Sequence, residues 1–176
     1  MEPIAPARAD FRVLSLDGGG AKGVYTLGVL REVEAIAGSP LCDQFDLIYG
    51  TSTGAIIGAL LGLGYSVEDI RKHYFDLIPS VMAHNNRRAR TAALEQYVRE
   101  ILSDARFEDM KTDVGIVVMH YEMERPMIFK SSVRQAHGMA ATFQPGFGVN
   151  VAEAVLASAA AVPFFERGSI TTTNPG

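Results

Sequence analysis

The chain has one cysteine, Cys42, among 176 residues. A lone thiol cannot close an internal disulfide and offers no thiolate cluster for a metal, which fits a reducing compartment. A basic excess is also missing. The formal charge is −4, and a nucleic-acid binder would carry a positive surplus. Nor is there an apolar run of membrane-spanning length: Ala55 to Tyr65, the longest, is interrupted by three glycines and is too short for a bilayer. Met1 to Asp10 lacks the apolar core of a signal peptide, so a cytoplasmic protein is expected. Aspartate is absent after Asp113.

Hydrophobic residues make up 48% of the chain, enough for one globular domain to bury a core without disulfides. Phe11 to Leu16 reads as a first strand, apolar enough to be buried on both faces. A helix from Val24 to Ala37 follows, with Leu30, Val33 and Ala37 at helical spacing. A second strand ends at Tyr49-Gly50, and another helix begins at once. This strand-helix-strand-helix order predicts an α/β fold with a mostly parallel sheet. Ser66 and Asp69 form a helix start of capping-box type, with Val67, Ile70, Tyr74 and Leu77 as the apolar stripe and Pro79 as the stop. His84 to Arg90 reads as a polar, basic connection, which could meet anionic lipid headgroups or simply be solvated. A helix from Thr91 to Ser103 comes next. Val114 to Met119 is a strand rich in β-branched residues, with Met127 to Phe129 as a hairpin partner. The stretch 131–149 lacks periodicity. Its Met139, Phe143 and Phe147 could rim an acyl entrance or anchor a long loop. Asn150 and Glu153 open a last, alanine-rich helix running to Ala161, in which Ser158 reads as a small packing residue.

Two glycine motifs carry the chemistry. Gly50-Thr51-Ser52-Thr53-Gly54 joins a strand to a helix through a sharp turn. Such an elbow exposes the serine hydroxyl and aims the N–H groups of the new helix at it. Upstream, Gly18-Gly19-Gly20-Ala21-Lys22-Gly23 also follows a strand and precedes a helix. It satisfies Gly-x-Gly-x-x-Gly, so a dinucleotide-binding enzyme must be weighed. That reading wants an acid at the end of the second strand, where Tyr49-Gly50-Thr51 stands instead. The phosphate-binding Walker loop fails because Gly23, not Ser or Thr, follows Lys22. Consecutive glycines also expose backbone N–H groups that can hold a developing oxyanion. Beside a serine nucleophile, such a loop suits acyl-group hydrolysis.

Taken together and in this order, Asp17-Gly18-Gly19-Gly20-Ala21-Lys22-Gly23 and Gly50-Thr51-Ser52-Thr53-Gly54-Ala55 resemble the patatin-like phospholipases. The Ala157-to-Phe165 segment, with its Pro163-Phe164 exit, is similar to the family's Ala/Ser-rich helix. The resemblance covers Val13 to Phe165. It implies a three-layer α/β fold with a central, mostly parallel sheet flanked by helices. It also implies a serine lipid acyl hydrolase of phospholipase A type. Ser52 would be the nucleophile. Gly18, Gly19, Gly20, Lys22 and Gly23 would form the oxyanion hole, with Lys22 where many members have arginine. Gly50, Thr51, Thr53 and Gly54 would frame the elbow. No metal or organic cofactor is implied, and no DNA or RNA partner. The substrate would be a phospholipid membrane surface, met at the inner face of the membrane. Some bacterial members are antiphage effectors activated by cyclic oligonucleotides, which makes such an activator a candidate partner.

The family's base is an aspartate in an Asp-Gly motif beyond the Pro-Phe exit. No such aspartate exists in this chain, and Glu166 does not match the motif. The expectation is a single domain, incomplete at its C-terminal end, with the dyad aspartate beyond Gly176. Of the histidines His73, His84, His120 and His137, only His137 follows the serine in an order that suits a triad, and no recognisable site surrounds it. Two other classes stay open here: a dinucleotide-dependent enzyme, and a catalytically inactive lipid-binding or interaction module.

Overall fold

A computed structural model of the chain describes residues 10–136 and 140–172. Strand β1 (Val13–Leu16) leads through a 3-10 turn (Gly20–Lys22) into helix α1 (Gly23–Ala37), followed by the short α2 (Leu41–Gln44). Strand β2 (Leu47–Thr51) runs directly into α3 (Thr53–Gly62). Helices α4 (Val67–Met82) and α5 (Arg87–Leu102) come next, then the hairpin of β3 (Asp113–His120) and β4 (Arg125–Lys130), and finally α6 (Val151–Ala159). The sheet order is β1-β2-β3-β4. β1, β2 and β3 are parallel, with Leu14 opposite Ile48 and Ile48 opposite Val114, and β4 is antiparallel to β3. The α/β class and the mostly parallel sheet are those the motif order predicts.

Crossovers between successive parallel strands are right-handed, so strands added in one direction place their helices on one face. Helix α3 is apolar all round and fully buried. It lies against Leu16, Ile48 and Val114 of the sheet, so closely that a Cβ at Gly62 would stand 2.4 Å from Val114 Cγ2. Helix α6 packs beside α3 on β3, and α4 bridges α1, α3 and α5. The start of α4 is fixed by polar atoms. Ser66 caps α4 by accepting from Asp69 N, and Glu34 Oε2 of α1 accepts from Val67 N at 3.0 Å.

Several expectations change. β1 is not buried on both faces: it forms the sheet's edge, and Val13 is 49% exposed. The buried face of α1 is Gly23, Leu27 and Leu30, while Val33 and Ala37 are exposed. The helix is rotated so that Glu34 can reach the start of α4. Pro79 does not stop α4, which continues to Met82. In the last turn a missing N–H costs one bond, and the helix resumes with Ala83 N donating to Pro79 O. The basic segment is not a connection, since α5 starts at Arg87 with Asn86 Oδ1 accepting from Ala89 N. Helix α6 ends at Ala159, two residues short of the expected Ala161, while its Asn150–Glu153 capping box is present. The stretch after β4 holds short 3-10 turns at Val133–Gln135, Ala140–Thr142 and Pro145–Gly148. Phe147 packs edge-on against Phe129 of β4, with ring centroids 5.7 Å apart, so it anchors the loop, and Phe143 is half-buried. Met139 and His137 lie outside the described residues.

Candidate active site

The end of β2 and the start of α3 come together more tightly than side chains allow. A Cβ on Gly50 would stand 2.2 Å from Gly54 O, and one on Gly54 would stand 2.1 Å from Leu16 O. Real Cβ atoms do not approach backbone oxygens this closely, so both positions must lack a side chain for β1, β2 and α3 to meet here. Thr51 closes β2 with its side chain exposed, and Thr53 begins α3 buried.

Ser52 sits between them at φ 52°, ψ −119°. A non-glycine residue with positive φ is strained by about 1–3 kcal/mol and needs its surroundings to hold it there. Ser52 occupies the N-cap position of α3, where a serine of ordinary extended backbone turns its oxygen onto the helix amides. Here the hydroxyl makes no capping bond. Strain has taken it away from that structural use, and it remains half-buried with no carboxylate or imidazole partner among the described residues. What holds the strained residue is its own amide, which donates to Ser158 Oγ at 2.8 Å. Ser158 in turn donates to Val117 O at 2.6 Å. One hydroxyl on α6 therefore ties the elbow to the neighbouring strand β3. Ser158 is not a mere packing residue.

The glycine loop lies directly over the elbow. A Cβ on Gly18 would be 3.0 Å from Ser52 Cβ and 3.7 Å from Ser52 Oγ. Gly19 and Gly20 have φ of 152° and 57°. The amides of Lys22 and Gly23 are committed inside the loop, to Gly19 O and to Ala21 O and Gly20 O. Those of Gly18, Gly19 and Gly20 have no partner among the described residues, so of the loop's five expected residues these three have amides free to meet an anion. Lys22 is exposed, with its Cβ beneath Gly19. Gly23 is buried at the start of α1 under Thr53 and Tyr74.

A second polar device fixes the loop from below. Thr53 Oγ1 donates to Gly20 O at 3.2 Å, and the Tyr74 hydroxyl of α4 donates to the same carbonyl. The two hydroxyls are 3.3 Å apart. Burial pushes the Tyr74 phenol above its usual pKa, which keeps it protonated as a donor. Tyr74 was legible only as part of the apolar stripe of α4. Its phenol oxygen, placed above the buried ring, is the part that reaches the site.

From Ser52 an apolar groove of about 90 Å³ runs between Ile56 of α3, Leu77, Ile78, Val81 and Met82 of α4, Leu94 of α5, and Phe165. None of the described histidines lines it. His73 uses its carbonyl to accept from Tyr97, His120 Nδ1 accepts from Met123 N in the hairpin turn, and His84 is exposed. Glu166 is also elsewhere, with its amide on Thr91 Oγ1.

Comparisons with known proteins address the family and the fold. A family model described as patatin-like phospholipase matches residues 14–174. A "cUMP-AMP-activated phospholipase" of Escherichia coli is 56% identical over 161 residues, covering 92% of this chain and 50% of that protein. A "cGAMP-activated phospholipase" of Vibrio cholerae is 30% identical, covering 88% of the chain and 49% of the relative. The chain thus spans about half the length of these relatives. Among solved structures, VipD from Legionella pneumophila superposes with a TM-score of 0.60 at 14% identity, over 91% of this chain and 44% of its own. That likeness concerns the fold alone.

Proposed function

The chain belongs to the patatin-like phospholipase family, and from that membership we propose that the protein is a serine acyl hydrolase cleaving acyl esters of membrane phospholipids, with Ser52 as nucleophile. The observation that carries the reading is the uncapped hydroxyl of Ser52 at the head of an apolar groove, roofed by amides without partners. An acyl chain laid in the groove brings its ester carbonyl to Ser52. As Oγ attacks, its proton passes to a base and the carbonyl oxygen becomes an oxyanion, held by the amides of Gly18, Gly19 and Gly20 and by the positive end of α3. Collapse expels the lysolipid alkoxide, which takes the proton back. Water then repeats the sequence on the acyl-serine and frees the fatty acid. The base is an aspartate carried outside these 176 residues, as the family's Ser-Asp dyad implies.

The dinucleotide reading is not favoured. β2 ends in the elbow rather than in an acid, and the family match accounts for both glycine motifs.

We further propose that a cyclic dinucleotide of the cUMP-AMP kind activates the full-length protein in antiphage defence, at the inner face of the membrane. The name of the 56%-identical relative supports the activator. A larger cavity between α5, α6 and the segment 165–170 is a poor match for that anion, because Glu95, Glu153 and Glu166 line it against only Arg99 and Arg167. No helix among the described residues is long and apolar enough to cross a membrane.

The test is fatty-acid release from phospholipid vesicles by the full-length protein, with and without cUMP-AMP. Release that depends on the nucleotide and vanishes in Ser52→Ala is the expected result. Full activity in Ser52→Ala would sink the mechanism. Vesicle binding without release from the wild type would favour an inactive lipid-binding module.

A further inference from the structure

From the charge and the groove at the junction of α4 and α5, we infer that this junction is the surface that docks on an anionic phospholipid bilayer. The inference rests on the acyl-hydrolase reading and identifies the side of the molecule from which substrate enters.

Between Asp76 and Glu95 the chain carries no carboxylate, yet it holds His84, Arg87, Arg88 and Arg90 in a protein of net charge −4. Three of these cations occupy the first four residues of α5, which has no acid in its first turn. The start of a helix carries the positive end of the macrodipole, so cations there are unfavourable. Stability alone would select the opposite charge. Arg90 has a structural use, since its Nε donates to His84 O at 2.8 Å. The guanidiniums of Arg87 and Arg88 are exposed and have no partner among the described residues. They are free to meet phosphate.

The same corner is where the apolar groove opens. Val81 and Met82, the last residues of α4, line it together with Leu94 of α5. Met82 is 54% exposed, so the groove's apolar wall continues onto the surface next to the arginines. Phe165 closes the other side, and its neighbour Phe164 is 54% exposed. Glu166 and Arg167 beside them offset each other in charge. A lipid rising from the leaflet would pass its acyl chain along Met82 and Val81 toward Ser52. Headgroups of the surrounding lipids would meet Arg87 and Arg88. Basic residues near a charged leaflet and an apolar entry beside them are the two contributions a surface-bound lipase needs.

The experiment uses the full-length protein carrying Ser52→Ala, so that vesicles stay intact, with and without Arg87→Gln and Arg88→Gln. Binding is measured by flotation with vesicles mixed from phosphatidylglycerol and phosphatidylcholine, and with pure phosphatidylcholine. Wild-type arginines should favour the anionic vesicles and lose that preference at high salt. The double variant should bind them about 30-fold more weakly, from about a fivefold loss for each of the two charges near an anionic surface. With Ser52 restored, the double variant should react with a fluorophosphonate at the wild-type rate and melt at the same temperature or higher. Equal binding of both vesicle types by the wild-type arginines, no vesicle binding at all, or unchanged binding by the double variant would overturn the inference. So would a double variant that alters the oligomeric state while leaving vesicle binding intact, which would make the patch a protein interface. Failure of Ser52 to react with fluorophosphonate refutes the hydrolase reading instead, and is read in a separate tube.

Discussion

Ser158→Ala removes one oxygen and leaves two backbone groups without partners, Ser52 N–H and Val117 C=O. Each bond contributes about 1 kcal/mol net, and a group left dry costs about 1–3 kcal/mol. Ser52 and Ser158 are both half-buried, so water recovers part of the loss, and about 2 kcal/mol in total is the fitting sum. For a domain of this size that lowers Tm by about 4–8 °C. The catalytic effect is separable from the melting effect. The bond to Ser52 N exists only while the residue holds its positive φ, so its loss, at about 1 kcal/mol, reduces the attack-ready population about fivefold. The assay is the rate of fluorophosphonate labelling of the full-length protein, measured well below the variant's melting temperature. That rate should fall about fivefold while KM for a soluble ester stays near the wild-type value. Ser158→Thr keeps the oxygen and should recover most of the rate. A labelling rate equal to wild type in Ser158→Ala would refute the idea that this hydroxyl holds the elbow. Equal loss in both variants would point to packing rather than to the hydrogen bonds.

Tyr74→Phe keeps the ring and removes the phenol from Gly20 O; kcat should drop about tenfold with KM little changed, because a looser donor loop weakens the transition state more than the bound ester. An unchanged kcat would show that Thr53 alone fixes the loop. Gly54→Ala places a Cβ 2.1 Å from Leu16 O, and the protein should lose its cooperative melting transition altogether. A folded, active Gly54→Ala would mean that β1 and α3 are not in contact as described. Asn150→Ala breaks the α6 capping box and should cost about 1 kcal/mol, lowering Tm without slowing the labelling of Ser52.

The parts that local pattern encodes were legible. The glycine motifs mark backbone positions where strand and helix touch, and contacts of that kind leave a mark in the residues themselves. The Asn150–Glu153 and Ser66–Asp69 pairs mark helix starts for the same reason. What stayed hidden depends on distant partners. Ser158 looks like a small residue in an alanine-rich helix, and only the fold brings it to an amide 106 positions away. Tyr74 reads as core because its ring is core. Glu34 reads as the polar side of α1 until α4 arrives to use it. The start of α5 was hidden because its first turn carries three arginines and no apolar residue larger than Ala89, so it reads as part of a polar connection up to Thr91. β1 looked fully buried because a largely apolar run cannot tell an edge strand from a central one.

The central claim is that Ser52 is a nucleophile. The most direct measurement is peptide mass spectrometry of the full-length protein after fluorophosphonate treatment. One phosphonyl adduct is predicted, on the peptide containing Ser52, and absent from Ser52→Ala. Lipid cleavage that continues with no adduct, or with the adduct on another serine, would contradict it.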